Sequence, residues 1–283
     1  MKIIHKIKDM VEFSENFRKD GKIIGFVPTM GYFHEGHISL MREAKKTCDI
    51  VIVSIFVNPI HFGKNEDFNT YPRDLSRDLK MIENLSVDAV FNPEVKEMYP
   101  DPEGLFTFVD IEGSLTKTLE GKSRTGHFKG VTTVVAKLFN IVVPHKAYFG
   151  QKDAQQCAVI KKMVKDLNIN IEIIICPTIR ESDGLAMSSR NTYLSAKERK
   201  TAPVLFKTLQ MAHHMIELGE KDPKVILNEM KKRISKHHLI SIDYISIVNP
   251  ETIEPVNEIS GKVLIALAIK LGKTRLIDNI AIQ

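Results

Sequence analysis

Apolar runs of strand length alternate with stretches of helical periodicity as far as Cys176. The runs are Lys22–Val27, Asp49–Val57, Val87–Phe91, the weaker Phe106–Ile111, Lys146–Gly150 and Ile171–Cys176. Asp49–Val57 is almost continuously apolar, which is typical of a strand that is covered on both faces of a sheet. The alternation predicts a parallel sheet flanked by helices.

Helical spacing connects several of these runs. It is found in Gly36–Lys46, Arg73–Leu85, Val131–Val142 and Asp153–Leu167. Within the second of these stretches, Leu75, Leu79 and Ile82 recur at intervals of three and four residues and form one apolar stripe. We therefore expect each stretch to pack an apolar face against the sheet.

The pattern changes after Cys176, because a polar stretch, Pro177–Leu194, is followed first by helices and then by strands. Ser195 and Glu198 form a capping box, from which one long helix is expected to run to about Leu218. A second helix is predicted over Pro223–His237, and strands over Asp243–Val248, Lys262–Ile269 and Thr274–Asp278. The prediction is an α/β domain over residues 1–178 and a small α+β domain over residues 179–283.

Composition narrows the classes of function. The net charge of +5 is scattered, which suits an anionic small molecule and gives no basic patch for nucleic acid. No apolar stretch approaches the roughly 20 residues of a membrane helix. The cysteines Cys48, Cys157 and Cys176 are too widely spaced for a disulfide framework or a structural zinc site. We expect a cytoplasmic protein with reduced thiols and no nucleic-acid or membrane partner.

The first candidate site is the loop Pro28–His37, which joins a predicted strand to a predicted helix. Helix N-termini bind anions, and Gly31 and Gly36 let a phosphate approach the backbone. His34 and His37, three residues apart, can direct two imidazoles at one triphosphate. The two histidines could instead be zinc ligands or incidental turn residues. The loop lacks both the dinucleotide-binding and the Walker glycine patterns.

Later segments add further candidate chemistry. Lys152 offers a point charge for phosphate, and Asp153 can accept from ribose hydroxyls or simply cap its helix. The segment Met187–Arg190 combines two hydroxyls with a guanidinium that can grip phosphate oxygens. The same segment could also be an ordinary polar loop between domains.

Taken together, these motifs resemble one family. His34-Glu-Gly-His37 resembles the nucleotidyltransferase superfamily, and the fuller string Pro28–His37 is similar to the pantoate–β-alanine ligases. The same family's pattern is met, in order, by Val57–Gly63 with Glu66–Arg73, Arg124–Val131, Phe149–Gln156 and Arg180–Asn191. The resemblance implies a Rossmann-like nucleotidyltransferase domain. Because Met187–Arg190 lies just past the predicted domain boundary, we expect the small C-terminal domain to close over ATP. The resemblance also implies a homodimer.

The resemblance further implies the reaction and the residues that carry it. ATP and pantoate form a pantoyl adenylate with release of pyrophosphate, and β-alanine then displaces AMP to give pantothenate; Mg²⁺ accompanies ATP. The implied ATP-binding residues are Met30, Gly31, His34, Gly36, His37, Gly150, Gln151, Lys152, Asp153, Ile179, Met187, Ser188, Ser189 and Arg190. Among them, His34, His37, Lys152 and Arg190 are the implied catalytic residues. Pantoate and β-alanine are assigned to Asn58, His61, Arg124, His127 and Gln156, and Mg²⁺ to Asp78.

Two positions depart from the expected patterns. His61 stands where the family usually has Gln, at a side chain expected to touch both substrates. Ala186 stands where the class I aminoacyl-tRNA synthetases, which belong to the same superfamily, have a Lys. Neutralising the charge of the phosphates therefore depends more on Lys152 and Arg190. The rival interpretations are a different nucleotidyltransferase, which the first motif permits, and a nucleic-acid-binding module. The module is disfavoured because the chain has no Trp and only 7% aromatic residues.

Overall fold

The computed structural model describes residues 1–63, 66–101 and 106–282. The chain forms two compact units that are not continuous in sequence. Unit 1 comprises Met1–Glu112, Arg124–Gly150 and Val159–Cys176. Unit 2 comprises Gly113–Ser123, Gln151–Ala158 and Pro177–Gln283.

Unit 1 is built on a six-stranded sheet in the order β1-β4-β3-β2-β5-β6, and each neighbouring pair is parallel. Its strands are β1 Lys2–Ile4, β2 Ile24–Thr29, β3 Ile50–Ile55, β4 Ala89–Phe91, β5 Lys146–Gly150 and β6 Glu172–Cys176. β3 is buried along its whole length, as its unbroken apolar sequence predicts. The predicted α/β fold is confirmed.

The described chain contains helices in both units. Their bounds are α1 Ile7–Lys19, α2 Glu35–Thr47, α3 Leu75–Ile82, α4 Val95–Met98, α5 Leu119–Ser123, α6 His127–Val142, α7 Ala154–Asp166, α8 Ala196–Thr201, α9 Val204–Glu217 and α10 Pro223–Ser235. The β1 strand and the α1 helix were not predicted from the sequence.

Strand order identifies one end of the unit 1 sheet as the place for a ligand. From β2 the chain moves outward through β3 to β4, whereas β5 returns to the other side of β2. In open α/β sheets, ligands bind at the carboxyl ends of the strands where the order reverses in this way. The loop that leaves β2 at that end is Met30–His34.

Unit 2 contains a three-stranded antiparallel sheet in the order β7-β8-β9. The strands are β7 Ile240–Val248, β8 Val263–Leu271 and β9 Thr274–Ile282. The central strand β8 is buried except at Lys270, and its apolar residues join Leu209 of α9 and Ile226 of α10 in one core. The predicted small α+β arrangement is therefore present.

Two predicted elements are wrong. Phe106–Ile111 forms no strand; instead Val109 N donates to Thr133 Oγ1 at 3.0 Å, and Thr132 Oγ1 donates to Val109 O at 2.5 Å. Side chains of α6 thus supply the hydrogen bonds that a neighbouring strand would have made.

The single helix predicted to begin at the Ser195 capping box is divided into α8 and α9, because Pro203 has no N–H to continue the helical ladder.

Candidate functional site

The loop between β2 and α2 turns sharply at two residues with left-handed backbone angles. Gly31 has φ +78°, and Tyr32 has φ +53°. A Cβ added at Gly31 would lie 2.9 Å from Ile55 Cγ2 and 3.0 Å from Asp78 Oδ2, so this position requires glycine. Thr29 Oγ1 steadies the entry to the turn by accepting from Gly31 N at 3.1 Å.

Asp78 of α3 fixes this loop by hydrogen bonds to its backbone. Its carboxylate accepts from Tyr32 N at 2.6 Å and from Phe33 N at 2.7 Å, and Arg77 Nη1 approaches it at 3.3 Å. Burial raises the pKa of Asp78, although the two backbone N–H groups and Arg77 act in the opposite direction. The carboxylate is therefore a fixed acceptor that satisfies backbone donors in a strained turn.

The contacts of Asp78 do not suit a Mg²⁺ ligand. The residue is 1% exposed, and both of its oxygens already accept backbone hydrogen bonds. Mg²⁺ keeps several of its own waters and therefore needs open space around a ligating carboxylate. Within residues 1–63, 66–101 and 106–282, no group of three or more His, Cys, Asp or Glu side chains is arranged to hold a metal ion.

His34 and His37 form a reciprocal cap at the start of α2. Gly36 N donates to His34 Nδ1 at 3.1 Å, and His34 N donates to His37 Nδ1 at 3.3 Å. A backbone N–H can only donate, so both Nδ1 atoms accept, and each neutral ring carries its proton on Nε2. The ring centroids lie 4.1 Å apart, so the two imidazoles that the sequence predicts to act together are neighbours in the structure.

A second cluster in unit 1 surrounds His61. Arg124 makes a bidentate pair with Glu66, at 2.7 Å for each bond, and its Nη1 lies 2.9 Å from His127 Nε2. Because arginine can only donate, Nε2 of His127 accepts, and its Nδ1–H then donates to His61 O at 3.1 Å. The rings of His61 and His127 meet edge to face at 4.3 Å.

The charge of this cluster is balanced internally. Burial alone would raise the pKa of Glu66, but the hydrogen bonds and positive charge of Arg124 outweigh burial and lower that pKa. The predicted substrate residues Arg124 and His127 thus lie beside His61, and both contribute to fixing the turn that carries it.

Asn58 and Gly130 fix the other end of the turn Pro59–His61. The side chain of Asn58 is 2% exposed; its Nδ2 donates to Gly130 O at 3.1 Å, and its Oδ1 accepts from Tyr99 OH at 2.9 Å. A Cβ at Gly130 would lie only 2.0 Å from Ile60 O. The turn and α6 are therefore in close backbone contact, and Asn58 ties the start of the turn to α6.

Of the other residues predicted to bind ATP, Gly150 ends β5 in unit 1, and the rest belong to unit 2. Gln151–Asp153 form a 3-10 turn immediately before α7. Lys152 Nζ lies 3.7 Å from Asp153 Oδ1, and its side chain is 20% exposed. Gln156, predicted to bind pantoate, is half-buried on α7.

The motif Met187–Arg190 follows a tight hairpin in unit 2. Ile179 O accepts from Met187 N at 3.0 Å, and Arg180 bridges Ala186 in antiparallel fashion. Ser188 then caps the short 3-10 helix Ser189–Tyr193 by accepting from Arg190 N at 3.3 Å. Ile179, Met187 and the residues that follow are thus presented by one rigid local structure.

Sequence reasoning missed the partners that orient these residues. Glu66 and Tyr99 bond directly to predicted substrate residues, and Gln155 bonds to the segment before α5 through Leu115 O and Thr118 O. Glu66 lies within a family motif, which was an available signal. Gln155 likewise lies within the family motif Phe149–Gln156, whereas no local pattern marks Tyr99, because its partner Asn58 is distant in sequence.

The motifs that form these clusters also place the chain among known proteins. The profile of the family described as Pantoate-beta-alanine ligase matches residues 2–281. The chain belongs to the pantoate–β-alanine ligase family. The family predicted from the motifs is confirmed, and the ligation of pantoate to β-alanine is the reaction of that family.

Relatives of known name support the assignment along the whole chain. The pantothenate synthetase of Acetivibrio thermocellus is 57% identical over 283 residues, covering 100% of both chains. The pantothenate synthetase of Caldicellulosiruptor bescii is 56% identical, covering 100% of this chain and 99% of that one.

Solved structures of the family have the same fold. A pantothenate synthetase from Thermus thermophilus superposes with a TM-score of 0.93 at 41% identity, and 99% of each chain is covered. A pantoate–β-alanine ligase from Francisella tularensis, crystallised with β-γ ATP and β-alanine, gives a TM-score of 0.81 at 38% identity, with coverage of 99% and 97%. Across residues 1–63, 66–101 and 106–282, no helix has the length and apolar character needed to cross a membrane.

Proposed function

We propose that this member of the family joins pantoate to β-alanine at the expense of ATP, giving pantothenate, AMP and pyrophosphate. The observation that carries the proposal is the capped start of α2, where backbone N–H groups fix two neighbouring imidazoles with their Nε2 atoms as donors. A positively polarised helix N-terminus with two such donors suits a triphosphate.

The first step is activation of a carboxylate. A carboxylate does not react with an amine at neutral pH, because oxide is a poor leaving group. The pantoate carboxylate therefore attacks the α-phosphorus of ATP, forming a pantoyl adenylate as the bond to pyrophosphate breaks. Negative charge develops on the phosphoryl oxygens and on the departing pyrophosphate, so catalysis consists mainly of positioning and electrostatic stabilisation.

His34 and His37 perform that stabilisation in unit 1. Their Nδ1 atoms accept from backbone donors, and we propose that Nε2–H is the group that bonds a phosphate oxygen. The rings need no reorientation when charge develops, since the cap has already fixed them. We assign the donation to the leaving pyrophosphate to His37 and the binding of the triphosphate to both histidines.

Unit 2 supplies the cations and hydroxyls. We propose that Lys152 and Arg190 neutralise phosphate charge and that Ser188 and Ser189 hold phosphate oxygens. Asp153 is proposed to accept from the ribose hydroxyls. The other proposed contacts to the nucleotide are Met30, Gly31, Gly36, Gly150, Gln151, Ile179 and Met187. Ala186 contributes no charge, so Lys152 and Arg190 together neutralise more of the phosphate charge.

The second step joins the two carbon skeletons. The amine of β-alanine attacks the acyl carbon of the adenylate, a tetrahedral intermediate forms, and AMP leaves with the electrons of the broken C–O bond. We propose that His61 contacts both substrates, that Gln156 binds the hydroxy acid, and that Asn58, Arg124 and His127 shape the pocket beside them. The β-γ ATP and β-alanine complexed with the Francisella tularensis relative agree with this choice of substrates.

Mg²⁺ accompanies ATP in this proposal. The phosphate oxygens would hold it, since the carboxylate of Asp78 is buried and already accepts two backbone hydrogen bonds. We further propose a cytoplasmic homodimer in which residues 179–283 act as a small domain that closes over ATP. Sedimentation tests the dimer, and compaction in small-angle scattering on addition of ATP and pantoate tests the closure.

The function is tested by omitting each substrate in turn. AMP should form only when ATP, pantoate and β-alanine are all present, with pantothenate appearing in equal amount. Pantoate alone should support exchange between ATP and labelled pyrophosphate. Exchange that depends on an amino acid or on a CTP partner, and not on pantoate, would instead identify a different nucleotidyltransferase.

A further inference from the structure

Two neighbouring residues near the end of the chain bond to two different segments of unit 2. Asp278 and Asn279 lie on β9, and adjacent strand residues point to opposite faces of a sheet. Asn279 reaches the turn Gln151–Asp153, whereas Asp278 reaches the hairpin that precedes Met187–Arg190. Both segments carry residues proposed to bind ATP, but neither β9 residue belongs to a family motif used above.

The amide of Asn279 is fully used by the turn. Its Nδ2 donates to Gln151 O at 3.0 Å and to Lys152 O at 2.8 Å, and its Oδ1 accepts from Gln151 Nε2 at 3.1 Å. Asn279 is 5% exposed, so water is poorly placed to replace these bonds. The backbone of Lys152 is therefore anchored directly to β9.

Asp278 anchors the hairpin through Arg180. Arg180 Nη1 and Nη2 donate to the two carboxylate oxygens at 2.7 and 3.0 Å, and Nη1 also donates to Gly184 O at 3.1 Å. The guanidinium lies 3.8 Å from the centre of the Phe206 ring. A bidentate pair stacked on an aromatic face has one well-defined geometry, so the hairpin is held in a single position.

The two anchors are connected to each other. Asn279 N donates to Asp278 Oδ1 at 2.8 Å. Burial raises the pKa of Asp278, while the hydrogen bonds of Arg180 and the nearby charge of Lys152 act in the opposite direction. The carboxylate thus interacts with cations of both segments at once.

We propose that Asp278 and Asn279 are positioning residues that hold the Lys152 turn and the loop carrying Met187–Arg190 in fixed register with one another. The inference rests on the proposed function, because the register matters for catalysis only if both segments bind ATP. A displacement of about 1 Å in a catalytic group can reduce the rate by about a hundredfold.

The test variant is Asn279→Asp, which keeps the shape of the side chain but places a carboxylate oxygen against Gln151 O and Lys152 O. We expect the KM for ATP to rise and the adenylation rate to fall, together by about ten- to a hundredfold in kcat/KM. The kcat/KM for β-alanine should not change, since the amine enters only in the second step. Hydrogen–deuterium exchange in residues 150–157 of the ligand-free protein should become faster.

Asn249→Ala is the matched control. Asn249 lies in a unit 2 turn, where its Oδ1 accepts from Glu251 N at 2.8 Å and Thr252 N at 3.1 Å; the variant loses hydrogen bonds without touching either ATP segment. It should retain the wild-type KM for ATP. If Asn279→Asp does not fold, Asn279→Ser, which removes the amide without adding charge, is measured in the same way.

Two results would overturn the inference, and a third would contradict the proposed function on which it rests. Unchanged exchange in residues 150–157 together with an unchanged KM for ATP would overturn it. The inference would also be overturned if Asn279→Asp lost kcat/KM equally for ATP and for β-alanine, and if Asn249→Ala showed the same losses at an equal loss of thermal stability. That result would show a purely structural role. A wild-type protein that forms no AMP would contradict the proposed function instead, and the exchange measurement would still decide whether Asn279 holds the turn.

Discussion

At the scale of single residues, His37 has two separable roles. Its Nδ1 accepts from His34 N in the cap of α2, and its Nε2–H is proposed to bond the phosphates. Asparagine can replace the Nδ1 acceptor but has no atom in the place of Nε2. We predict that His37→Asn retains the thermal unfolding midpoint but lowers the rate of pantoate-dependent pyrophosphate exchange by about 10²–10³.

The complementary variant is His37→Gln, which approximates Nε2 and gives up the acceptor of the cap. Compared with His37→Asn, it should show a lower thermal unfolding midpoint and a higher rate of pyrophosphate exchange. Near-normal exchange by a correctly folded His37→Asn protein would contradict the proposed role of this imidazole.

His61 gives the site a titratable group where the family usually has an amide. Protonating the ring removes its one acceptor nitrogen, and it adds a positive charge next to His127, which is itself bonded to Arg124. We predict that acidification between about pH 8 and 5.5 raises the KM for pantoate and β-alanine more in the wild type than in His61→Gln. Parallel pH profiles of KM for the two proteins would show that His61 does not titrate in contact with substrate.

The sequence was informative at this scale wherever one contiguous motif contains all the interacting atoms. The reciprocal cap of His34 and His37 is such a case, because the two histidines are only three residues apart. The contacts of Arg124 with Glu66 and of Asn58 with Tyr99 span 58 and 41 residues. Such pairs follow from the tertiary fold, and no local spacing predicts them.

At the scale of elements, the close approach of α6 to the turn Pro59–His61 controls the place of His61. A methyl group at Gly130 would meet Ile60 O at 2.0 Å, so the turn or the helix must move. We predict that Gly130→Ala costs about 1–3 kcal/mol of unfolding free energy, measured by denaturant titration, and raises the KM for pantoate.

Ala136→Gly on the same helix provides the control. It weakens α6 by about 1 kcal/mol through helix propensity but exerts no pressure on the turn. If both variants raise the KM for pantoate equally, the contact at Gly130 has no special connection with the site.

His145 connects β2 and β5 and gives the fold a pH dependence. Its Nδ1 accepts from Ile24 N at 2.9 Å, and burial, assisted by the charge of Arg18, lowers its pKa from 6.5. Between pH 6.5 and the lower pKa of the folded chain, the unfolded chain binds the additional proton. The stabilising contribution is therefore complete above pH 6.5 and is lost as pH falls through that interval.

We predict that the free energy of unfolding, measured with urea from about pH 7.5 to 5, falls less steeply in His145→Asn than in the wild type. His214→Asn is the control, because that side chain on α9 is 67% exposed. Identical slopes for the wild type and His145→Asn would contradict the assigned sign.

Elements with strong local signals were predicted best. β5 has the predicted bounds Lys146–Gly150, and the capping box of Ser195 and Glu198 is present as expected. The stretch Phe106–Ile111 has strand-like composition, but threonines of α6 take its hydrogen bonds. Tertiary hydrogen bonds, and not the strand propensity of the residues, determine the conformation of this stretch.

At the scale of the whole molecule, the family assignment and the geometry depend on different observations. The match over residues 2–281 gives the family, and the capped start of α2, the cluster around His61 and the two anchors on β9 come from the structure. In the proposed function, unit 1 contributes the imidazole donors and unit 2 the cationic loops.

The central claim is that the chain activates a carboxylate by transferring adenylate to it. The most direct measurement uses pantoate labelled in its carboxylate with a heavy oxygen isotope, incubated with ATP and β-alanine and analysed by mass spectrometry. We predict that one labelled oxygen per turnover appears in the phosphate group of AMP, because that oxygen bridges acyl carbon and phosphorus in the adenylate. Label that appears in inorganic phosphate, with ADP as the nucleotide product, would contradict the account.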